Sequence, residues 1–285
     1  MYSINSKIKI ACLGWLKQNL KPEVLTPLVE LPLDRLDEGI LSLKIKSLNL
    51  IIENNEDWNS DFSKAMLWLK KNNVQFVTYW DDEYPMVFRE LKYPPLILTY
   101  KGVPAWLSHR CISVVGSRNP GAYSEQWMQE ELTAYLKESD GICLVSGGAR
   151  GVDQRAHKIA IRCEKPSLCF LPSGIGNVYP SNLTPWLKEI TNCGGAVVSQ
   201  FHPLAEMKKY YFQLRNALIA TISENTLIIE AKRKSGTFMT ARLAIDYGRE
   251  IQVLPISPTE NAGLGGLDLI FAGAPIVRSY EDINP

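Results

Sequence analysis

The sequence predicts an α/β protein, in which a doubly wound and mostly parallel sheet is preceded by a small all-helical domain. From residue 111 onward, six short apolar runs alternate with segments of helical periodicity, which is typical of parallel strands joined by helices. The runs are almost continuously apolar, which indicates strands covered on both faces. The first 73 residues instead carry apolar residues at helical spacing. We therefore predict a helical domain over residues 1–73 and an α/β domain over residues 74–285.

The N-terminal region is predicted to contain short helices. Leu13, Leu16 and Leu20 recur at helix spacing, and a later amphipathic helix is centred on Phe62 and Met66. Several prolines between residues 22 and 32 keep the first helices short. Because no glycine-containing hairpin of the kind that binds DNA backbones occurs there, we interpret this region as a packing or partner domain.

Two strands are predicted ahead of the main alternation, at residues 74–80 and 96–100. The six strands that follow are predicted at 111–116, 142–147, 167–171, 195–200, 226–231 and 251–256. The helices between them are predicted near 125–138, 153–163, 183–191, 214–222 and 237–247. Right-handed crossovers make such a chain a doubly wound sheet, whose ligands bind at the carboxyl ends of the strands near a switch point.

Composition limits the possible functions. The 285 residues are 46% hydrophobic, which excludes a disordered or fibrous chain, and their net charge of +1 gives no overall attraction to nucleic acid. Any anion site must therefore be a local patch. The six cysteines form no C-x-x-C pair and no zinc-ligand spacing, so we expect no metal, no disulfide framework and a reducing cytoplasm. No apolar stretch approaches the roughly 20 residues that span a bilayer, so no membrane association is expected.

Residues 146–157 are the stretch on which the predicted site is centred. They lie between an apolar run and a helical pattern, and contain three glycines, Gly147, Gly148 and Gly151. Such a turn allows backbone N–H groups to approach an anion at a helix N-terminus, although a tight turn without a ligand explains the same glycines. Asp153 is interpreted as an N-cap or an arginine-orienting residue, and His157 as a packed core histidine.

Hydroxyls and cations follow the predicted carboxyl ends of several strands. They are Ser117, Arg118, Ser146, Arg150, Arg215, Lys232, Ser235 and Thr237. Carboxylates are scarce there, and Asp153 and Glu230 are the main ones. No carboxylate pair, Ser-His-Asp order or metal-ligand cluster accompanies them. We therefore predict a rim that holds anions, with no catalytic residue, no metal and no cofactor.

Structural roles stay open for some of these residues. Arg215 and Asn216 could form a capping and ion-pairing unit, and residues 232–234 could be a solvated basic turn. Trp186 and Phe212 could stack on bases or simply pack against neighbours.

The order of these motifs resembles the DNA-processing protein A (DprA/Smf) family. The motifs are G-S-R, S-G-x-A-R-G-[IV]-D-x-x-A-H, Y-P, R-N-x-[LI]-I-A, E-x-x-x-x-S-G-[ST]-x-x-T-A, G-R-E and L-I-x-x-G-A. The resemblance extends over about residues 81–277. Leu267 stands where asparagine is usual and Phe271 where a cation is common, which is compatible with a divergent member.

The resemblance implies a Rossmann-like domain that binds single-stranded DNA without sequence preference. It also implies protection of single strands in natural transformation of competent cells, help in loading a RecA-type recombinase for DNA recombination, a homodimer, and no enzymatic activity. With the rim residues, the motifs carried over from the family make up the predicted DNA- and phosphate-binding set. That set is Ser117, Arg118, Ser146, Gly147, Gly148, Arg150, Gly151, Arg215, Asn216, Lys232, Ser235, Gly236 and Thr237.

Two other functions use a similar sheet. Nucleotide-processing enzymes of the lysine-decarboxylase-like (LOG) type carry P-G-G-x-G-T-x-x-E, whose glutamate assists the chemistry. The corresponding position here is Thr240, which has no carboxylate to stabilise a developing positive charge or to activate water. A non-catalytic sensor that binds a small nucleotide on the same rim remains an alternative.

Overall fold

The computed structural model describes residues 5–16, 19–53 and 56–283, which form two compact units. The first unit holds the described residues up to Tyr100, together with Ser173–Asn177 and Ser199–Glu206. The second holds Lys101–Pro172, Val178–Val198 and the described chain from Met207 onward. The boundary after residue 73 stays a prediction. None of the helices in the described ranges combines the length and apolarity that crossing a bilayer requires.

Helices dominate the first unit. They are α1 (Ser6–Leu16), α2 (Pro22–Leu25), α3 (Leu36–Ser42), α4 (Lys46–Glu53) and α5 (Glu56–Lys71). Pro22 occupies the first position of α2, where a missing N–H costs no hydrogen bond. Phe62 and Met66 are buried, as the predicted amphipathic helix requires. The helices precede β1 (Gln75–Thr78), which runs antiparallel to β2 (Ile97–Gly102).

Six parallel strands form the sheet of the second unit. They are β3 (Arg110–Gly116), β4 (Ile142–Ser146), β5 (Ser167–Phe170), β6 (Ala196–Ser199), β7 (Asn225–Ile229) and β8 (Glu250–Val253), in the order β6-β5-β4-β3-β7-β8. The chain moves outward from β3 through β6, then returns to the opposite side of β3 with β7 and β8. The switch point therefore lies at the carboxyl ends of β3, β4 and β7. The predicted α/β class, parallel sheet and N-terminal helical region are confirmed.

Helices cover both faces of this sheet. Between β3 and β4, α6 (Ala122–Trp127) continues through a π-helical turn, Met128–Leu132, into α7 (Thr133–Glu138). The later helices are α8 (Val152–Arg162), α9 (Thr184–Asn192), α10 (Tyr211–Ile222), α11 (Gly236–Asp246) and α12 (Leu264–Phe271). Ile112 and Val114 of β3 pack in one core with Trp127 and Ile159. The intervening Ser113 points to the other face, where its hydroxyl donates to a carbonyl of α10.

Helix α12 was not predicted. Gly265 and Gly266 lower its intrinsic helix propensity, so the local sequence does not indicate a helix. Tertiary contacts hold it in place: the Gly266 N–H donates to the Ala231 carbonyl at 3.1 Å. A Cβ at Gly265 would lie 2.7 Å from the Lys232 carbonyl group, so only glycine allows this approach. Helix α12 thereby supports the loop that carries Lys232.

Candidate functional site

A pocket of about 330 Å³ opens at the switch point of the second unit. It lies where β3 and β7 end and where α11 begins. Its lining is Val115, Gly116, Ser117, Arg118, Asn119, Ala149, Asp153, Phe212, Arg215, Asn216, Glu230, Lys232, Ser235, Gly236, Thr237 and Thr240. This is the position that the doubly wound topology favours for a ligand.

The positive charge at the mouth of the pocket comes from Arg118 and Lys232. Both side chains are exposed, one on the loop after β3 and the other on the loop after β7. Arg215 is the third cation of the lining, and the two carboxylates are Asp153 and Glu230. Since all three of these last residues are buried, the two exposed cations dominate the potential that an approaching ligand meets.

The helix α11 contributes its N-terminus to the pocket. Ser235 caps the helix, accepting a hydrogen bond at its Oγ from the Phe238 N–H at 3.2 Å. Thr237 donates its hydroxyl to the Gly116 carbonyl at 2.9 Å, which joins the helix start to the end of β3. The first N–H groups of a helix lack partners within it and carry partial positive charge, so this end of the pocket favours an anion.

An aromatic surface adjoins these cations. The half-buried ring of Phe212 has the guanidinium of Arg118 at 5.8 Å and that of Arg215 at 5.7 Å from its centroid. The ring of the exposed Tyr179 lies nearly perpendicular to that of Phe212, at a centroid distance of 6.0 Å. Cations at this range interact favourably with an aromatic ring. The pocket therefore combines positively charged groups with aromatic rings.

Arg215 and Asp153 form a buried ion pair beneath the pocket. Their side chains are 5% and 8% exposed, and Nη1 lies 3.8 Å from Oδ2. Burial lowers the pKa of Arg215 and raises that of Asp153, and each partner opposes the shift of the other. The ion-pairing interpretation of Arg215 and the arginine-orienting interpretation of Asp153 both agree with this geometry.

Most of the glycine-rich stretch, residues 146–151, lies behind the residues that line the pocket. Asp153 Oδ2 accepts hydrogen bonds from the N–H groups of Gly147, at 3.2 Å, and Ala149, at 3.3 Å. These two donors are therefore engaged within the protein. The Ser146 hydroxyl, buried completely, donates to the Val114 carbonyl at 2.7 Å and so ties β4 to β3.

Close packing explains the glycines of this stretch. A Cβ at Gly147 would lie 1.3 Å from Arg215 Nη1, so the guanidinium fills the space that a side chain would need. Gly151 has φ of 82°, and a Cβ there would lie 2.3 Å from the Ser117 carbonyl oxygen. A Cβ at Gly148 would lie 2.5 Å from the Leu183 side chain. The glycines thus allow internal contacts that shape the rim.

Glu230 holds a second loop at the pocket. It has a positive φ of 60°, and its Oε2 accepts hydrogen bonds from the Gly121 N–H at 2.7 Å and the Ser124 hydroxyl at 2.8 Å. Its buried Oε1 has no hydrogen-bond partner among the described residues. The sequence analysis placed Glu230 at the rim but did not include it, Asn119 or Thr240 in the predicted binding set. Their positions next to or within the G-S-R and S-G-[ST] motifs could have indicated that they line the pocket.

The structure brings eight of the predicted residues together in the pocket: Ser117, Arg118, Arg215, Asn216, Lys232, Ser235, Gly236 and Thr237. It places Ser146, Gly147 and Gly148 behind the lining. Arg150 and Gly151 line a separate depression on α8 instead. Binding of DNA or phosphate by any of the set stays a prediction.

Other candidate residues take structural positions. His157 is buried, with Nδ1 3.1 Å from the Ser167 hydroxyl, and burial lowers its pKa to about 3, in agreement with a packed neutral histidine. Arg233 forms a bidentate ion pair with Asp268 of α12 at 2.6 and 2.7 Å. Trp186 lies under Lys158, whose Nζ is 4.2 Å from the ring centroid, outside the pocket.

Two solved structures with a similar fold are DNA-processing proteins. DNA processing protein A (DprA) from Streptococcus pneumoniae superposes with a TM-score of 0.80, covering 99% of this chain and 97% of that chain, at 24% identity. DNA processing protein A from Helicobacter pylori, described for its single-stranded DNA binding mode, matches with a TM-score of 0.63 at 28% identity, covering 73% of this chain and 93% of that one.

Sequence comparison identifies the family. The chain is 32% identical to Protein Smf of Escherichia coli, over 77% of this chain and 58% of that protein. It is 31% identical to DNA processing protein DprA of Bacillus subtilis, over 80% of this chain and 76% of that protein. It spans only 54% of the length of Protein Smf of Synechocystis. Because residues 75–284 also match the family model described as DNA recombination-mediator protein A, the chain belongs to the DprA/Smf family.

Proposed function

We propose that this protein binds single-stranded DNA without sequence preference and holds a backbone phosphate in the pocket. The observation that carries the proposal is the pair of exposed cations, Arg118 and Lys232, beside the N-terminus of α11. A phosphate there would be stabilised by two side-chain charges and by the positive end of the helix. The buried Arg215 would add to the potential from below, although Asp153 offsets most of it.

Single strands fit this pocket better than duplexes. A base attached to the bound phosphate could stack near Phe212 or Tyr179, and the bases of a duplex are not available for such stacking. Stacking tolerates every base, since each has a π-face, and phosphate contacts carry no sequence information. The site therefore supports sequence-independent binding.

The family supports a role in DNA uptake and recombination. One relative is described for its binding of single-stranded DNA, and the matching family model is that of a recombination mediator. We infer that this chain, as a cytoplasmic homodimer, protects single strands and assists the loading of a RecA-type recombinase. We infer no catalysis, since the Thr240 hydroxyl donates to the Gly236 carbonyl at 3.0 Å and offers no acid at the position where the LOG-type enzymes have glutamate.

The change Arg118→Ala tests the pocket. Loss of a charge-assisted phosphate contact of about 1.5–3 kcal/mol should weaken binding of a labelled single strand about 10- to 100-fold. Arg242→Ala, which removes an exposed arginine outside the pocket lining, is the matched control and should bind like the wild type. Fluorescence anisotropy with single-stranded and duplex oligonucleotides of one length measures both proteins. The proposal would be contradicted if the wild type bound duplex and single strand with equal affinity, or if Arg118→Ala and Arg242→Ala lost the same amount of single-strand affinity.

A nucleotide sensor is the second candidate. The pocket volume of about 330 Å³ lies at the small end of the range of about 300–1,000 Å³ for small-molecule sites. A thermal-shift screen with nucleoside mono- and diphosphates would detect such a ligand. Strong stabilisation at micromolar concentration, lost in Arg118→Ala, would favour the sensor over the DNA-binding protein.

A further inference from the structure

A second depression, of about 300 Å³, lies on the outer side of α8. Its lining includes Gln129, Arg150, Gly151, Arg155, Lys158 and Arg162. Four of these residues are cations, and none of the lining residues is a carboxylate. We call this depression the α8 groove. For a chain with a net charge of only +1, this is a strong local concentration of positive charge.

Three of the cations lie on one face of the helix. Arg155, Lys158 and Arg162 are spaced at i, i+3 and i+7, so their side chains follow one another along α8. The helical rise places the first and last about 10 Å apart along the axis, which is the rise of about three stacked nucleotides of one strand. The face therefore has the length and the charge to follow a short run of phosphates.

Neighbouring side chains orient these cations and leave most of their charge available. Arg155 is paired with Glu125 at 2.5 Å, so its charge is offset. Arg162 donates to the neutral Gln129 at 3.1 Å, and Lys158 lies over the Trp186 ring at 4.2 Å. Neither of these two contacts neutralises a charge.

The α8 groove borders directly on the pocket. A Cβ at Gly151, in the groove, would lie 2.6 Å from the carbonyl group of Arg118, in the pocket. The Val152 N–H donates to the Ser117 carbonyl at 3.1 Å, which fixes the pocket loop to the start of α8. A linear polyanion that leaves the pocket over Arg118 therefore meets Arg150 and then the cations of α8.

We propose that the α8 groove binds the phosphodiester backbone of the same DNA strand whose phosphate occupies the pocket, and so extends the binding site by about three nucleotides. This inference rests on the proposed function. The groove supplies backbone contacts, which set the path of the strand and add counterion release without reading bases.

The test uses a double variant, Lys158→Gln/Arg162→Gln, in the full chain. Its control is Lys137→Gln/Arg242→Gln, which removes the same charge from exposed positions that line neither the pocket nor the groove. Anisotropy titrations over several salt concentrations would use single strands of about four and about 16 nucleotides, the range of known single-strand site sizes. A duplex of the longer length is included.

We expect the groove variant to bind the short strand as the control does. For the long strand, the slope of log K against log salt should become shallower by about 1.4, since each lost phosphate contact contributes about 0.7 for single strands. Equal slopes in the groove variant and the control would overturn the inference while leaving the pocket intact. An equal change of slope with duplex would show a general polyanion surface and would also overturn it. If the wild type binds neither strand, the proposed function itself fails.

Discussion

Gly147 shows how a single position determines the geometry of the pocket. A glycine before a helix suggests an open backbone that a ligand approaches, yet here the guanidinium of Arg215 occupies the space beside it. Asp153 holds the same arginine and also accepts the Gly147 N–H. The three residues form one buried polar unit, in which each group depends on the other two for its hydrogen bonds or its charge balance.

The change Gly147→Ala should therefore destabilise the protein by about 3 kcal/mol, because the new methyl group displaces Arg215 from Asp153 and leaves a buried charge unpaired. Urea unfolding followed by circular dichroism measures the loss. Gly236→Ala is the control, since a Cβ there meets no atom within 4 Å, and it should cost no stability. Similar unfolding midpoints for the two variants would show that Arg215 can adopt another position without a loss of stability.

At the scale of the element, the start of α11 contributes both to the stability of the fold and to the lining of the pocket. Ser235 caps the helix, and the same residue lines the pocket. Helix α10 contributes Phe212, Arg215 and Asn216 from its first two turns, and α12 fixes the loop that carries Lys232. Helix starts and strand ends meet here because every parallel strand points its carboxyl end to the same edge of the sheet.

Two substitutions of Ser235 separate the roles of the cap. Ser235→Ala should cost about 1 kcal/mol of stability, since the Phe238 N–H loses its side-chain acceptor. Ser235→Asp keeps a capping oxygen and should keep that stability. Its negative charge faces the anion site, so single-strand affinity should fall about tenfold, or about 1.4 kcal/mol. Unfolding curves and anisotropy titrations measure the two effects. Wild-type affinity in Ser235→Asp would place the phosphate elsewhere.

At the scale of the whole molecule, charge is distributed unevenly. A net charge of +1 over 285 residues predicts no general affinity for DNA, whereas the pocket and the α8 groove both carry excess positive charge. Binding should therefore be local and electrostatic, and should be lost as salt rises.

We expect a slope of log K against log salt of about −3.5 for a long single strand bound to the wild-type protein, since about five cations of the pocket and the α8 groove would contact phosphates at about 0.7 each. These cations are Arg118, Arg150, Lys158, Arg162 and Lys232. Titrations between low and physiological salt measure the slope. A slope near zero would mean that apolar contacts, and not phosphate contacts, dominate binding.

Local sequence patterns determined the fold class of this protein and the chemistry of its rim. The alternation of apolar runs and helical patterns placed all six parallel strands, because each is buried on both faces. The Gly-Ser-Arg motif at the end of β3 and the Ser-Gly-Thr motif at the start of α11 predicted two sides of the pocket, because such motifs lie where strands end and helices begin. Helix α12 was missed, because its glycines form a helix only when packed against the Lys232 loop.

The tertiary structure decided which of the candidate groups face a ligand. Arg150 and Arg118 are both exposed arginines that follow parallel strands, yet they line different depressions, and the backbone of Ser117 and Arg118 packs closely against Gly151 where the two depressions adjoin. Arg215 is buried against Asp153, residues that are 62 positions apart in the chain. Sequence periodicity reports the burial of local segments, but contacts between distant segments depend on the order of the strands. That order, with the return of β7 to the side of β3, is a property of the whole packed sheet.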